Sequence, residues 1–222
     1  GHSIKRAVFR CFSGNDSAHL AVLMAGIARY LSKMGVCSRR QAAQWIQKGR
    51  VRINGRLPRN EDEPVPPAAR LELDGKTIHA PRRCYLMLNK PRGLVTTAQD
   101  EQARDTVYRC FEGLDVPWLA PVGRLDKASE GLLLFSNDPQ WAAHLTDPTS
   151  AIIKRYHVQI DCIPDAQLLD QLRQGVVDRG EKLGSVSIDL LRTGGRNAWL
   201  DIALDEGRNR QIRRMCRSVG LD

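Results

Sequence analysis

The chain has 222 residues, 42% of them hydrophobic, and carries a formal net charge of +9, from 34 Lys and Arg against 25 Asp and Glu. That length suits one large domain or two smaller ones with an ordinary core, and the positive balance points to a polyanionic partner. No apolar run approaches the roughly 18 residues that a membrane-crossing helix needs, so no membrane partner is expected.

The first 25 residues read as a leader or an expression-derived segment. Gly1-His2-Ser3 resembles a tag remnant. Leu20–Ala28, preceded by Lys5, Arg6 and Arg10, imitates a short signal core, but cleavage there would cut into the first helix. From Ser17 to Asn60 the chain has no acidic residue and nine basic ones. Within that stretch Ile27, Ala28, Leu31 and Met34 keep helical spacing up to Gly35. Ser38 with Gln41 forms a capping-box signature for a second helix carrying Ala42, Trp45 and Ile46 and stopping at Gly49. Val51-Arg52-Ile53 then alternates into an Asn54-Gly55 turn, and Leu71-Glu72-Leu73 is a further strand. Residues 26–74 are therefore expected to form a basic platform of two helices and a hairpin. Arg39, Arg40, Lys48 and Arg50 are its candidate RNA anchors.

Residues 75–84 read as a linker, and 85–222 as a second domain. In it Tyr85–Leu88 and Leu94–Thr97 are expected strands flanking an Asn89–Gly93 turn. Asp138 caps a helix with Pro139 at its first position, and Asp165–Gln174 is amphipathic with Gly175 as its stop. Val186–Leu191 and Trp199–Leu204 flank Gly194-Gly195 as a hairpin. Neither a repeat nor strict βαβ alternation is present, so the expected class is α+β, with a mixed, mostly antiparallel sheet. The six cysteines, at positions 11, 37, 84, 110, 162 and 216, contain no C-x-x-C pair and do not cluster with the five histidines. Neither a metal nor a disulfide framework is expected, and reduced thiols imply a cytoplasmic chain.

The chemistry centres on Gly123-Arg124-Leu125-Asp126-Lys127-Ala128-Ser129-Glu130-Gly131, followed by the apolar Leu132–Phe135. Asp126 stands beside Arg124 and Lys127 on what reads as a loop before a buried strand. This suits an acid held ionised by cations, but spacing alone favours a surface ion pair. The string resembles the G-R-L-D-x-x-S-x-G-L-L-L motif of the Rsu-type pseudouridine synthases, which isomerise uridine in ribosomal RNA. Three more strings match that family: Leu88-Asn89-Lys90-Pro91-Arg92-Gly93, Lys154-Arg155-Tyr156-His157-Val158, and Glu206-Gly207-Arg208-Asn209-Arg210-Gln211-Ile212-Arg213-Arg214-Met215. Upstream, Gly35–Ala42 and Gly49–Gly55 resemble the αL-type RNA-binding module named after small-subunit ribosomal protein S-four.

The resemblance implies roles. Asp126 would be the catalytic acid, attacking the ribose or removing its 2′ proton, with no catalytic carboxylate partner and no cofactor. Tyr156 would lie against the uracil and Arg213 would pair with the acid. Arg124 would fill the space left by a flipped base, and Lys154, Arg208, Arg210 and Arg214 would meet substrate RNA. The partner would be ribosomal RNA or a pre-ribosomal particle, and the chain a monomer. The R-N-R-Q-I-R-R-M spelling favours large-subunit 23S over small-subunit 16S RNA. A transfer-RNA-directed synthase and a non-catalytic RNA-binding or ribosome-assembly protein are the alternatives. Pro139 replaces the family's usual Gly, and the chain stops at Asp222, soon after the last motif, which leaves open a truncated carboxyl end.

Overall fold

The computed structural model describes the backbone of residues 7–11 and all of residues 25–98, 102 and 104–221. The chain divides into two compact units, Gly1–Ala143 and His144–Asp222. Apart from residues 7–11 and 25, the expected leader lies outside the described residues; residues 7–11 form a strand, β1 (Ala7–Cys11).

The basic platform of the first unit is built as its sequence pattern dictates. Helix α1 (Ile27–Lys33) buries Ile27, Ala28 and Leu31 at helical spacing, and α2 (Arg39–Gln47) begins where Ser38 Oγ accepts the Gln41 amide at 3.1 Å. Strand β2 (Val51–Ile53) enters the Asn54-Gly55 turn, closed by Ile53 N–H to Arg56 O at 2.8 Å. Its ladder partner is β3 (Leu71–Leu73), which pairs in turn with the short β4 (Lys76–Thr77). Ile27, Leu31, Ala42, Ile46, Val51, Ile53 and Leu71 meet in one core.

The chain between the turn and β3 is tied down by a buried carboxylate. Glu63 accepts from the Arg56 guanidinium and, at 2.6 Å, from the Arg59 amide, while its own carbonyl accepts the Ile27 amide at the head of α1. Arg56, more than any other group, holds the Glu63 carboxyl down at about 2.

The same unit holds a four-stranded antiparallel sheet in the order β1-β5-β7-β6, from β5 (Cys84–Lys90), β7 (Gly131–Ser136) and β6 (Ala120–Val122). Alternation sends Cys84, Leu86 and Leu88 of β5 and Leu133 and Phe135 of β7 into a core capped by Val107 and Phe111 of a 3-10 turn. β5 runs two residues past the expected end. Leu94–Thr97 is not a strand: Val95 makes one isolated bridge to Thr106, and the Thr96 hydroxyl is used elsewhere.

Asn137 joins platform and sheet. Its side chain accepts the Cys84 amide at 2.8 Å and donates to Arg82 O at 2.9 Å. Its carbonyl lies so close to Gly35 (φ +78°) that a Cβ there would fall 2.2 Å from the oxygen. Next along, Asp138 caps α3 (Pro139–Thr146), accepting the Gln140 and Trp141 amides, as its position before Pro139 predicted.

The second unit contains a three-stranded antiparallel sheet, β11-β12-β8, from β8 (Lys154–Ile160), β11 (Ser187–Thr193) and β12 (Ala198–Leu204). Helices α4 (Ala166–Gln174) and α5 (Gln211–Ser218) pack Leu169, Leu172, Met215 and Cys216 against it. Between α4 and β11 lies a hairpin that the sequence pattern did not reveal, β9 (Val176–Asp178) and β10 (Glu181–Leu183). The class is α+β with antiparallel ladders. Among the described residues no helix is long and apolar enough to cross a membrane.

Because Glu63 is held below its ordinary value of 4.5, it stabilises the platform fully above about pH 4.5, and that contribution is lost as pH falls towards 2. Glu63→Gln should lower the melting midpoint at pH 7 and flatten its acid dependence between pH 4.5 and 2; circular dichroism melts across that range measure both.

Candidate functional site

The loop that carries Asp126 is fixed by its backbone. Period-two alternation along β5 places Lys90 on the inward face after Cys84, Leu86 and Leu88, and its side chain has no exposure to water. The ammonium donates to three carbonyls: Ser129 O at 2.8 Å, Asp126 O at 3.0 Å and Pro91 O at 3.1 Å. Three donors meet three acceptors, so the buried cation is fully satisfied. Burial pushes the ammonium below its ordinary value, and Asp126 is the strongest of the neighbours that pull it back.

Thr96 holds the other side of the loop. Its buried hydroxyl donates to Leu125 O at 2.7 Å and accepts the Leu125 amide at 3.3 Å. Gly93 N–H donates to Lys127 O at 2.7 Å, and Ser129 N–H to Asp126 O at 3.0 Å. Residues 125–129 are thus pinned on both flanks while the Asp126 side chain stays half-buried rather than sealed in. Arg124 and Lys127 are exposed on the same loop, and Arg92 faces Glu130 at 3.5 Å.

Tyr156, Lys154 and the terminal arginines belong to the second unit. On β8, Arg155, His157 and Gln159 are exposed, whereas Tyr156, Val158 and Ile160 turn to the core by period-two alternation. Tyr156 is half-buried opposite Ile202, and burial pushes its phenol up. Lys154 Nζ donates to Ile152 O at 3.4 Å. In the last motif Arg210 adopts a left-handed φ of 50° and stands just before α5, where Arg213 is exposed. Arg208 and Arg214 both reach carboxylates. Arg208 bonds Glu181 at 2.6 Å and Glu206 at 2.9 Å; Arg214 bonds Asp178 at 2.5 Å and Glu181 at 2.7 Å.

Of the proposed anchors, Arg40 and Lys48 are exposed, and Arg39 lies 3.7 Å from Asp62. Arg50 is gripped by both oxygens of Asp74 and lies 5.7 Å over the Trp45 ring. Lys90, Thr96, Asp178 and Glu181 were not singled out from the sequence. Lys90 was detectable, since it continues an inward-facing series; the others carry no such signal.

The model of the RNA pseudouridylate synthase family matches residues 84–218, more than half of the chain, and the S4 domain model matches residues 26–70. Ribosomal large subunit pseudouridine synthase B of Bacillus subtilis is 32% identical over 199 residues, covering 89% of this chain and 81% of that protein. An uncharacterized RNA pseudouridine synthase of Rickettsia bellii is 36% identical over 199 residues, covering 89% and 86%. A crystal structure of a pseudouridylate synthase matches with a TM-score of 0.59 at 25% identity, covering 89% of this chain and 84% of that one.

Replacing Lys90 by Met keeps the volume but strands buried carbonyls, at about 1–3 kcal/mol. Lys90→Met should therefore lower the melting midpoint by about 5 °C or more, and hydrogen exchange should rise at the Lys127–Ser129 amides.

Proposed function

The chain belongs to the RNA pseudouridylate synthase family, and from that premise we propose that it acts on uridine in large-subunit ribosomal RNA, with Asp126 as its catalytic residue. One observation supports Asp126 above all: the loop that carries it, which matches the G-R-L-D-x-x-S-x-G-L-L-L motif, is held through its backbone by Lys90 and Thr96. Preorganisation of this kind suits a group that must meet a reacting atom with little room for error.

The reaction is an isomerisation. The bond from ribose carbon 1′ to uracil nitrogen 1 breaks, the base turns, a bond forms from carbon 1′ to carbon 5, and the carbon-5 proton leaves while nitrogen 1 regains one. Nothing is added or removed overall, so one acid acting on the ribose suffices. Asp126 does this as nucleophile at carbon 1′ or as base at the 2′ position. Tyr156, by its match to the family motif, stacks on the uracil and assists loss of the carbon-5 proton. Arg213, by the same warrant, is the residue that the family motif assigns to the acid. Arg124, exposed on the Asp126 loop, fills the gap left when the target base leaves its stack.

The S4 platform supplies affinity. Arg39, Arg40 and Lys48 offer charge to phosphates on a surface with little means of reading bases, so binding is salt-sensitive and only weakly sequence-selective, whereas Arg50 is taken up by Asp74. Large-subunit RNA is favoured because the chain is similar along most of its length to a large-subunit synthase. The chain acts as a cytoplasmic monomer on free ribosomal RNA or a pre-ribosomal particle.

With ribosomal RNA labelled with tritium at uridine carbon 5, the wild-type chain should release tritium. Asp126→Asn should lose at least three orders of magnitude in that rate while binding RNA normally in a filter assay. Release undiminished in Asp126→Asn overturns the assignment of the acid. Binding without release by the wild type points instead to a non-catalytic RNA-binding protein.

A further inference from the structure

The arginine-rich end of the chain reads at first as a row of phosphate contacts, but the second unit already supplies acceptors for two of its members. Glu181 sits at the start of β10 and takes Arg208 at 2.6 Å with one oxygen and Arg214 at 2.7 Å with the other. Arg214 also takes Asp178 across the β9–β10 turn, at 2.5 Å, and Arg208 also takes Glu206 at 2.9 Å. Arg214 also donates to Asp178 O at 3.3 Å. Behind the ion pairs lies Gln211, buried, whose amide donates to Gly184 O and to Glu206, and whose oxygen accepts the Arg208 amide at 3.1 Å.

This network encloses the first turn of α5. That helix has no side-chain cap at Arg210, whose backbone is left-handed, so its entry is not secured in the ordinary way. The carboxylates supply the missing constraint, Glu181 gripping the chain before the helix through Arg208 and the helix itself through Arg214. A bridge of this kind is costly to assemble from freely moving side chains, but Gln211 and the Asp178–Glu181 hairpin order its members beforehand. The Arg214 and Arg208 guanidiniums also hold the Glu181 carboxyl below its usual range, in keeping with a carboxylate that stays ionised.

We infer that Glu181 is a positioning residue, which with Arg208 and Arg214 clamps the entry of α5 so that Arg213 is held in working orientation, and that Arg208 and Arg214 are not RNA contacts. This rests on the role assigned to Arg213 above. Glu181 belongs to none of the strings that match the family motifs, and its carboxylate meets α5 through Arg214 and the chain before it through Arg208.

Arg208→Lys in the full chain separates the alternatives, because lysine serves a phosphate well but cannot bridge two carboxylates with a planar fork. A clamp predicts that Arg208→Lys and Glu181→Gln each lower the rate at saturating ribosomal RNA by roughly tenfold. Neither should change the slope of log affinity against log salt, and melting losses for the pair should be less than additive. The inference is overturned if Arg208→Lys is silent, if Arg208→Gln instead reduces the salt slope by about 0.7–0.9 at unchanged saturating rate, or if melting losses add. Absence of tritium release by the wild type would defeat the functional reading alone, since the melting cycle still reads the clamp.

Discussion

A lysine ammonium withdrawn from water is tolerated only if its protons all find acceptors, and in this protein that requirement shapes the surroundings of Asp126. Lys90 reaches its position because β5 alternates one step beyond its apolar residues, and its three bonds are all to backbone carbonyls. Two of those carbonyls belong to the loop after Leu125, so the loop can depart only by leaving a charge unpaired in the core. Thr96 closes the other flank. A stretch that contributes nothing to the sheet is thereby held by bonds from both of its flanks.

The net charge of +9 overstates the cationic surface offered to RNA. Arg50 is committed to Asp74, Arg56 to Glu63, Arg70 to Glu72, and Arg208 and Arg214 to Glu181. Of these, the exposed Arg50–Asp74 pair adds little stability by itself, whereas Glu63 and Glu72 are buried. The effect of these pairs is geometric: a loop tied to the head of α1, a strand exit tied to a turn, a helix entry tied to a hairpin. Basic residues in this chain therefore do two kinds of work, and only those without internal carboxylates are suited to phosphate contact.

Much of this was legible in advance. Ser38 and Asp138 cap the helices they were expected to cap, because a short acceptor before an apolar helical stripe leaves the backbone few alternatives, and Asp165, read as the first residue of its helix, caps it instead. The hairpin of β11 and β12 followed from Gly194-Gly195 between two strand-like runs. Leu94–Thr97 misled because β-branched residues suit a strand, whereas here Thr96 spends its hydroxyl on Leu125. The Asp178–Glu181 hairpin escaped notice because its turn uses Arg179, at φ 53°, where Asn or Asp is the usual signal. The proposal of Asp126 as the acid rests on resemblance; spacing alone left it an ordinary surface carboxylate. What holds that acid in place depends on contacts between residues some 35 positions apart, which no local pattern encodes.

The most direct test is a map of pseudouridines in ribosomal RNA, by carbodiimide modification and reverse transcription, from cells lacking this gene. Loss of a pseudouridine from large-subunit RNA, restored when the chain is expressed again, is the expected result. An unchanged map contradicts it.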